Sequence, residues 1–235
     1  MTIKSIPATP LALEPRSPPL GRRRLIGALA LGGAVIAATP YRAFAVPLKP
    51  RPAEYLVFID GKRSGTYTTE FVPRKNGFTA TTSMSIRVDV LFVTAYRYQQ
   101  DGQEDWDESK LMGFDYITND DGKPFLVGAK RTGDSFTVTG RNGQKTVPGD
   151  AMSSGFWNSG ILKCRHLVDP QTAELVPLSV KPLAHKSATI AQTTIHGEGH
   201  SVDTFLKGTI WFDEHQHLLA TSFVQDGHKV EMRRA

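Results

Sequence analysis

The chain has 235 residues, a formal net charge of +5 and a single cysteine, Cys164. One cysteine excludes an intramolecular disulfide, so the fold depends on a buried core, for which the length is sufficient. Six of the 28 basic residues but only one of the 23 acidic residues fall within 1–45, which leaves 22 of each in 46–235. That neutral remainder has no electrostatic reason to bind nucleic acid.

The N-terminal segment has the pattern of a signal peptide, which we place at residues 1–45. A basic cluster precedes the uncharged run 25–38, and these 14 residues are too few for a membrane-spanning helix, which needs about 20. Ala43 and Ala45 are small residues of the kind that a signal peptidase accepts. We therefore predict cleavage after Ala45.

The basic cluster also indicates an export route. Arg22 and Arg23 precede Leu25 and Ile26, which is typical of a twin-arginine signal; general export is the alternative. The prediction is a bacterial periplasmic or secreted protein, with the export machinery as one partner. Oligomeric state has no signature in the sequence.

Residues 46–53 contain three prolines and predict an extended lead, followed by a single β domain at 54–235. Short β-runs in that domain are separated by dipeptides that favour tight turns, because Gly, Asn and Asp tolerate positive φ. Such pairs predict antiparallel reversals at Asp60-Gly61, Asn76-Gly77, Asp101-Gly102, Asp121-Gly122, Gly133-Asp134, Asn142-Gly143 and Asp226-Gly227.

The clearest strand is 78–90, where apolar and polar residues alternate with period two and only Thr82 breaks the apolar set. One face should be buried, and a strand of this length should bend or bulge. Further strands are predicted at 55–60, 66–72, 92–99, 110–118, 124–131, 135–139, 175–180, 188–196, 201–206, 209–213, 218–225 and 229–233.

The connection Pro148–Leu167 is the exception. Two serines suit an N-cap, and Trp157, Ile161 and Leu162 have the spacing of a short helix that could plug one end of the sheet. A sheet of about ten strands with one apolar face must fold over or curl. We therefore predict an all-β fold, an antiparallel meander curled into a barrel or half-barrel, with one short helix in this connection.

The order of several short motifs resembles the bacterial family known as domain of unknown function 6134, over essentially the whole of 54–234. These motifs are Asp60-Gly61 with Gly65-Thr66, Ala95-Tyr96-Arg97-Tyr98-Gln99, Glu104-Asp105-Trp106, Thr118-Asn119-Asp120-Asp121-Gly122, Trp157-Asn158, Leu167-Val168-Asp169-Pro170-Gln171-Thr172 and Trp211-Phe212-Asp213. The resemblance implies an exported, mainly antiparallel β protein in the style of curled periplasmic sheets that shield apolar cargo. It implies no reaction.

Residues 46–235 lack the contiguous motifs of common hydrolases, zinc proteases and nucleotide-binding loops. Cys164 is expected to be an inert thiol, and the histidines and acidic clusters, including Glu104–Glu108, to be solvated loops or edge charges. No catalytic residue, metal or cofactor is predicted.

Eight residues are candidates for lining an interior cavity: Tyr96, Arg97, Tyr98, Glu104, Trp106, Trp157, Asn158 and Trp211. Aromatic side chains would supply its apolar wall, and the polar members its few directed contacts. The first hypothesis is a non-enzymatic binding protein for an apolar small molecule or lipid. The alternatives are a hydrolase with a noncontiguous site and a purely structural envelope protein.

Overall fold

The computed structural model describes residues 50–90 and 93–235; the predicted signal peptide and its cleavage site lie outside the described residues. The elements are β1 (Ala53–Ile59), β2 (Lys62–Arg74), β3 (Gly77–Val90), β4 (Val93–Asp107), β5 (Lys110–Asp120), β6 (Lys123–Thr132), β7 (Ser135–Gly140), β8 (Gly143–Pro148), a 3-10 helix (Ser159–Lys163), β9 (His166–Val168), β10 (Leu175–Pro177), β11 (Ser179–Pro182), β12 (Ser187–Ile190), β13 (Thr193–His196), β14 (Glu198–Asp203), β15 (Lys207–Phe212), β16 (Leu218–Gln225) and β17 (His228–Arg234).

Thirteen of these strands form one antiparallel sheet in the order β11-β14-β15-β16-β17-β1-β2-β3-β4-β5-β6-β7-β8. The pairing of β1 with β17 joins an N-terminal meander to a C-terminal one. The edge strands β8 and β11 do not pair with each other, so the curled sheet is an open half-barrel. The predicted fold class is confirmed.

The Asp-Gly turns show which local signals were reliable. At Asp60-Gly61, Asp121-Gly122 and Asp226-Gly227 both residues have positive φ, as a two-residue type I′ hairpin turn requires. Asp101-Gly102 is not a turn, because both residues lie inside β4. Gly102 serves a different purpose there: a β carbon would overlap the ring of Tyr116 on the neighbouring strand.

Three other expectations are corrected. The predicted strand 188–196 is the hairpin β12–β13, which turns at Ala191 and Gln192, two residues of positive φ without a Gly or Asn. The predicted strand 175–180 is divided between β10 and β11, and β8 was not predicted. The helix in the Pro148–Leu167 connection is a 3-10 helix capped by Asn158, not by a serine.

The concave side of the sheet is filled by its own side chains and by the connection between β8 and β11. In β3 the residues Ala80, Thr82 and Ile86 are buried, in keeping with the predicted alternation, and the pairing of β3 with β4 shifts register at Val88–Asp89. The connection contributes to two core clusters. Trp157 joins the first, which includes Trp106, Phe114, Tyr116 and Phe136. Ile161 joins the second, which includes Tyr55, Leu167, Phe212 and Leu218.

Candidate functional site

Four of the eight candidate residues lie in the first core cluster or directly beside it: Glu104, Trp106, Trp157 and Asn158. Glu104 on β4 is only 1% exposed. Its carboxylate accepts hydrogen bonds from Ser153 Oγ at 2.5 Å and Tyr116 Oη at 2.8 Å, both on Oε1, and from Trp106 Nε1 at 3.0 Å on Oε2. The expectation that Glu104 is a solvated charge is wrong, because alternation along β4 turns it inward with Trp106.

The protonation of this cluster follows from its burial. Loss of water raises the pKa of Glu104 above its usual range, and the donors Ser153, Tyr116 and Trp106 oppose that rise by stabilising the charged form. Burial and the neighbouring Glu104 hold the pKa of Tyr116 well above its usual value, so Tyr116 stays a neutral donor. The protein itself thus supplies the hydrogen-bond donors of the Glu104 carboxylate.

Trp157 completes the cluster from the connection. It is 5% exposed, and its ring lies 4.9 Å from Phe71, 6.0 Å from Phe78 and 5.8 Å from Trp106 between centroids, each pair edge to face. Its indole N–H is buried near Glu104 without a well-aligned acceptor among the described residues. Asn158 is also buried, and its Oδ1 accepts from Gly160 N at 2.7 Å as the helix cap.

The other four candidates lie elsewhere. Tyr96 and Tyr98 are half-buried near the opposite end of β4, where Tyr96 Oη donates to Asp120 at 2.8 Å and Tyr98 Oη accepts from Gln100. Arg97 between them is exposed. Trp211 is fully buried on the other face of the sheet, under the β12–β13 hairpin. The eight residues therefore do not line one cavity.

The interior space that Trp157 lines is small. It amounts to about 10 Å³ and is bordered also by Tyr55, Thr69 and Phe71. A single water molecule needs a cavity of at least about 10–15 Å³. Among the described residues, this part of the interior therefore has no room for the predicted apolar ligand, and Trp157 fills the space as a plug.

An open notch lies instead at the side of the sheet, where β6 extends past its neighbour. β5 pairs with β6 over 123–130, but β7 pairs with it only over 128–132. Residues 123–127 consequently have no strand on the β7 side. The notch is open to solvent, has a volume of about 670 Å³ and is lined by Gly122, Lys123, Pro124, Phe125, Leu126, Thr139, Gly140 and Arg141.

The lining of the notch is apolar in the middle and basic at its sides. Leu126 is 65% exposed, and Ile117, its partner across β5 and β6, is 59% exposed. Phe125 points to the other face and is half-buried. Lys123 and Arg141 form no ion pair with any described residue. Leu126 and Ile117 thus form a small exposed apolar patch beside the notch.

Neither the hydrogen-bond partners of Glu104 nor the notch beside β6 was predicted from the sequence. Tyr116 lies two residues after Phe114 on β5 and therefore on the same face, so its inward position could have been predicted, whereas Ser153 has no local signal. The notch residues belong to ordinary-looking strands. The unpaired edge arises because β6 is ten residues long and β7 is six.

Two side chains with nucleophilic chemistry are held by hydrogen bonds of their own. Ser153 donates to Glu104, and Cys164 Sγ donates to the carbonyl of Ile161. Burial raises the pKa of Cys164 to about 11, so it stays a thiol at neutral pH. Within 50–90 and 93–235, no three His, Cys, Asp or Glu side chains gather as metal ligands would. The same residues contain no helix with the length and hydrophobicity that a membrane crossing requires.

Comparison with solved structures places this architecture in a class. A crystal structure of a β-barrel-like protein of the domain of unknown function DUF1849, from Brucella abortus, matches with a TM-score of 0.54 and 13% sequence identity. The match covers 80% of this chain and 97% of that chain. At such low identity it shows the fold alone: this is an antiparallel β protein of the β-barrel-like class.

The family follows from the sequence. Residues 55–235 match the family described as Domain of unknown function (DUF6134), and the chain belongs to that family. The resemblance drawn from the ordered motifs is thereby confirmed. A search of curated proteins finds no match.

Proposed function

We propose that this protein is exported and binds an apolar, lipidic ligand in the open notch beside β6, without catalysing a reaction. The observation that carries the proposal is the notch itself: about 670 Å³ of space against Pro124, Phe125 and Leu126, where the strand has no neighbour. Burying exposed apolar side chains under a ligand is favourable by roughly 25 cal/mol per Å². Export is supported by the signal-peptide pattern of residues 1–45.

A peptide strand is the other natural occupant of an open sheet edge, and Pro124 argues against it. Asp120 and Lys123 flank a type I′ turn and so bond to each other, which directs the main-chain groups of Pro124 and Leu126 toward the open side. Pro124 has no N–H, so this edge offers a single donor, from Leu126. Proline at such a position hinders strand addition, whereas an apolar chain needs no main-chain partner.

The test measures binding of the neutral fluorescent probe N-phenyl-1-naphthylamine to the purified full chain. Leu126→Asp places a charge in the notch and should weaken probe binding about ten-fold, because a desolvated carboxylate opposes apolar contact. Val224→Asp is the matched control, since Val224 is 56% exposed on β16, away from the notch. Absence of probe binding, or equal weakening by both variants, would contradict the proposal.

A further inference from the structure

We infer that the ligand of the notch is an anionic amphiphile, whose apolar chain lies on Pro124 and Leu126 and whose carboxylate or phosphate head is held by Lys123 and Arg141. This inference rests on the proposed function and names the chemical class of its ligand. Binding of such a ligand requires two cations without ion-pair partners, no competing acid and an apolar surface between the cations.

The fold brings the two cations to the notch from different hairpins. Lys123 follows the β5–β6 turn, and Arg141 lies in the turn between β7 and β8. Both residues line the same notch, although they are far apart in the sequence. Both side chains are long and flexible, and they can reach one head group from opposite walls. The guanidinium of Arg141 suits bidentate contact with a carboxylate or phosphate.

No acid lines the notch. Asp120 is next to the same turn, but its carboxylate accepts from Tyr96 Oη at 2.8 Å, on the β4 side of β5. Asp121 lies in the turn and is not part of the lining either. The charges that face a bound molecule are therefore positive, which favours an anionic head over a neutral or cationic one.

The net charge of the domain distinguishes the binding of a single lipid from binding to a membrane surface. Residues 46–235 hold 22 basic and 22 acidic residues, so the domain as a whole has no net attraction to an anionic bilayer. The positive charge of the notch is local, and we assign it to one dissolved lipid molecule.

The test compares three ligands of equal chain length below their micelle concentrations: dodecanoate, dodecyl phosphate and neutral 1-dodecanol. Their dissociation constants for the full chain are measured by displacement of N-phenyl-1-naphthylamine, in low and in high salt. Two exposed ion pairs should make the anions bind about five- to ten-fold more tightly than the alcohol, and salt should reduce that difference. Whether dodecanoate or dodecyl phosphate binds more tightly identifies the head group.

The variant Lys123→Gln with Arg141→Gln should bring the anions to the affinity of 1-dodecanol and leave the affinity of 1-dodecanol unchanged. Lys130→Gln, on the same strand but outside the notch lining, is the control and should change neither. If the wild type bound the anions and the alcohol equally, the inference of an anionic ligand would be wrong, and the proposed apolar ligand would stand. An equal effect of Lys130→Gln would also overturn that inference, since the attraction would then be general. If none of the ligands binds, the proposed function itself fails.

Discussion

At the scale of the residue, Glu104 is the most unusual group in the described chain. It is a carboxylate sealed in an aromatic cluster, with two hydroxyl donors and one indole donor but no cation in contact. Burial of this kind favours the protonated form, as the raised pKa of Glu104 indicates. Through Ser153, the hydrogen bonds of Glu104 join β4 and β5 to the connection between β8 and β11.

The first prediction concerns the pH dependence of stability. Because the folded-state pKa of Glu104 lies above its unfolded value, its contribution is most favourable below the unfolded pKa, near 4.3, and is lost as the pH rises through the folded pKa. Glu104→Gln removes this titration. The free energy of unfolding of the variant, relative to wild type, should therefore increase with pH over that window, as measured by urea unfolding.

The amide of this variant can be accommodated, because its oxygen can face Trp106 Nε1 while its NH₂ donates to Tyr116 and Ser153, whose hydroxyls can reverse and accept. The exposed Glu70 provides the control substitution Glu70→Gln. If the difference in the free energy of unfolding between Glu104→Gln and wild type did not change with pH, the prediction would be contradicted.

At the scale of the element, the connection between β8 and β11 acts as the plug of the half-barrel. Trp157→Ala should cost about 3–5 kcal/mol, since it removes a buried indole from contact with Phe71, Phe78 and Trp106. Urea unfolding should show a much lower midpoint at an unchanged slope. Probe binding at the notch should persist under conditions where the variant is folded, because Trp157 does not line it.

The control for the plug is Phe205→Ala, which truncates an aromatic side chain that is 38% exposed and should cost much less. If Trp157→Ala unfolded at the wild-type urea concentration, the plug interpretation would be wrong. If it lost probe binding while remaining folded, the ligand would lie against Trp157 and not in the notch.

At the scale of the whole molecule, export remains a prediction. The double substitution Arg22→Lys with Arg23→Lys keeps the charge but removes the guanidinium pair that the twin-arginine route reads, so export should stop. Cell fractionation measures the outcome, and N-terminal sequencing of the exported protein should begin at Val46. Normal export of the double variant would indicate the general route, and retention of residues 1–45 would contradict the predicted cleavage.

Local sequence patterns were enough to predict the antiparallel β class, most of the strands and the family. Alternation and Asp-Gly turns are local properties, so β3, β16 and three type I′ turns could be read from neighbouring residues. Local signals failed where a distant contact decides the backbone. Gly102 lies inside β4, where the absence of a β carbon leaves room for the ring of Tyr116, and the turn residue Ala191 is buried in the cluster of Trp211.

The space available to a ligand, by contrast, depends on how distant parts of the chain pack together. Aromatic composition is the same whether a half-barrel is hollow or filled, and here the connection carrying Trp157 fills the interior that the candidates were expected to line. The notch arises because β6 pairs fully with β5 but only partly with β7. Such a mismatch depends on which strands are neighbours and on their register, and neither is a property of any single stretch of sequence.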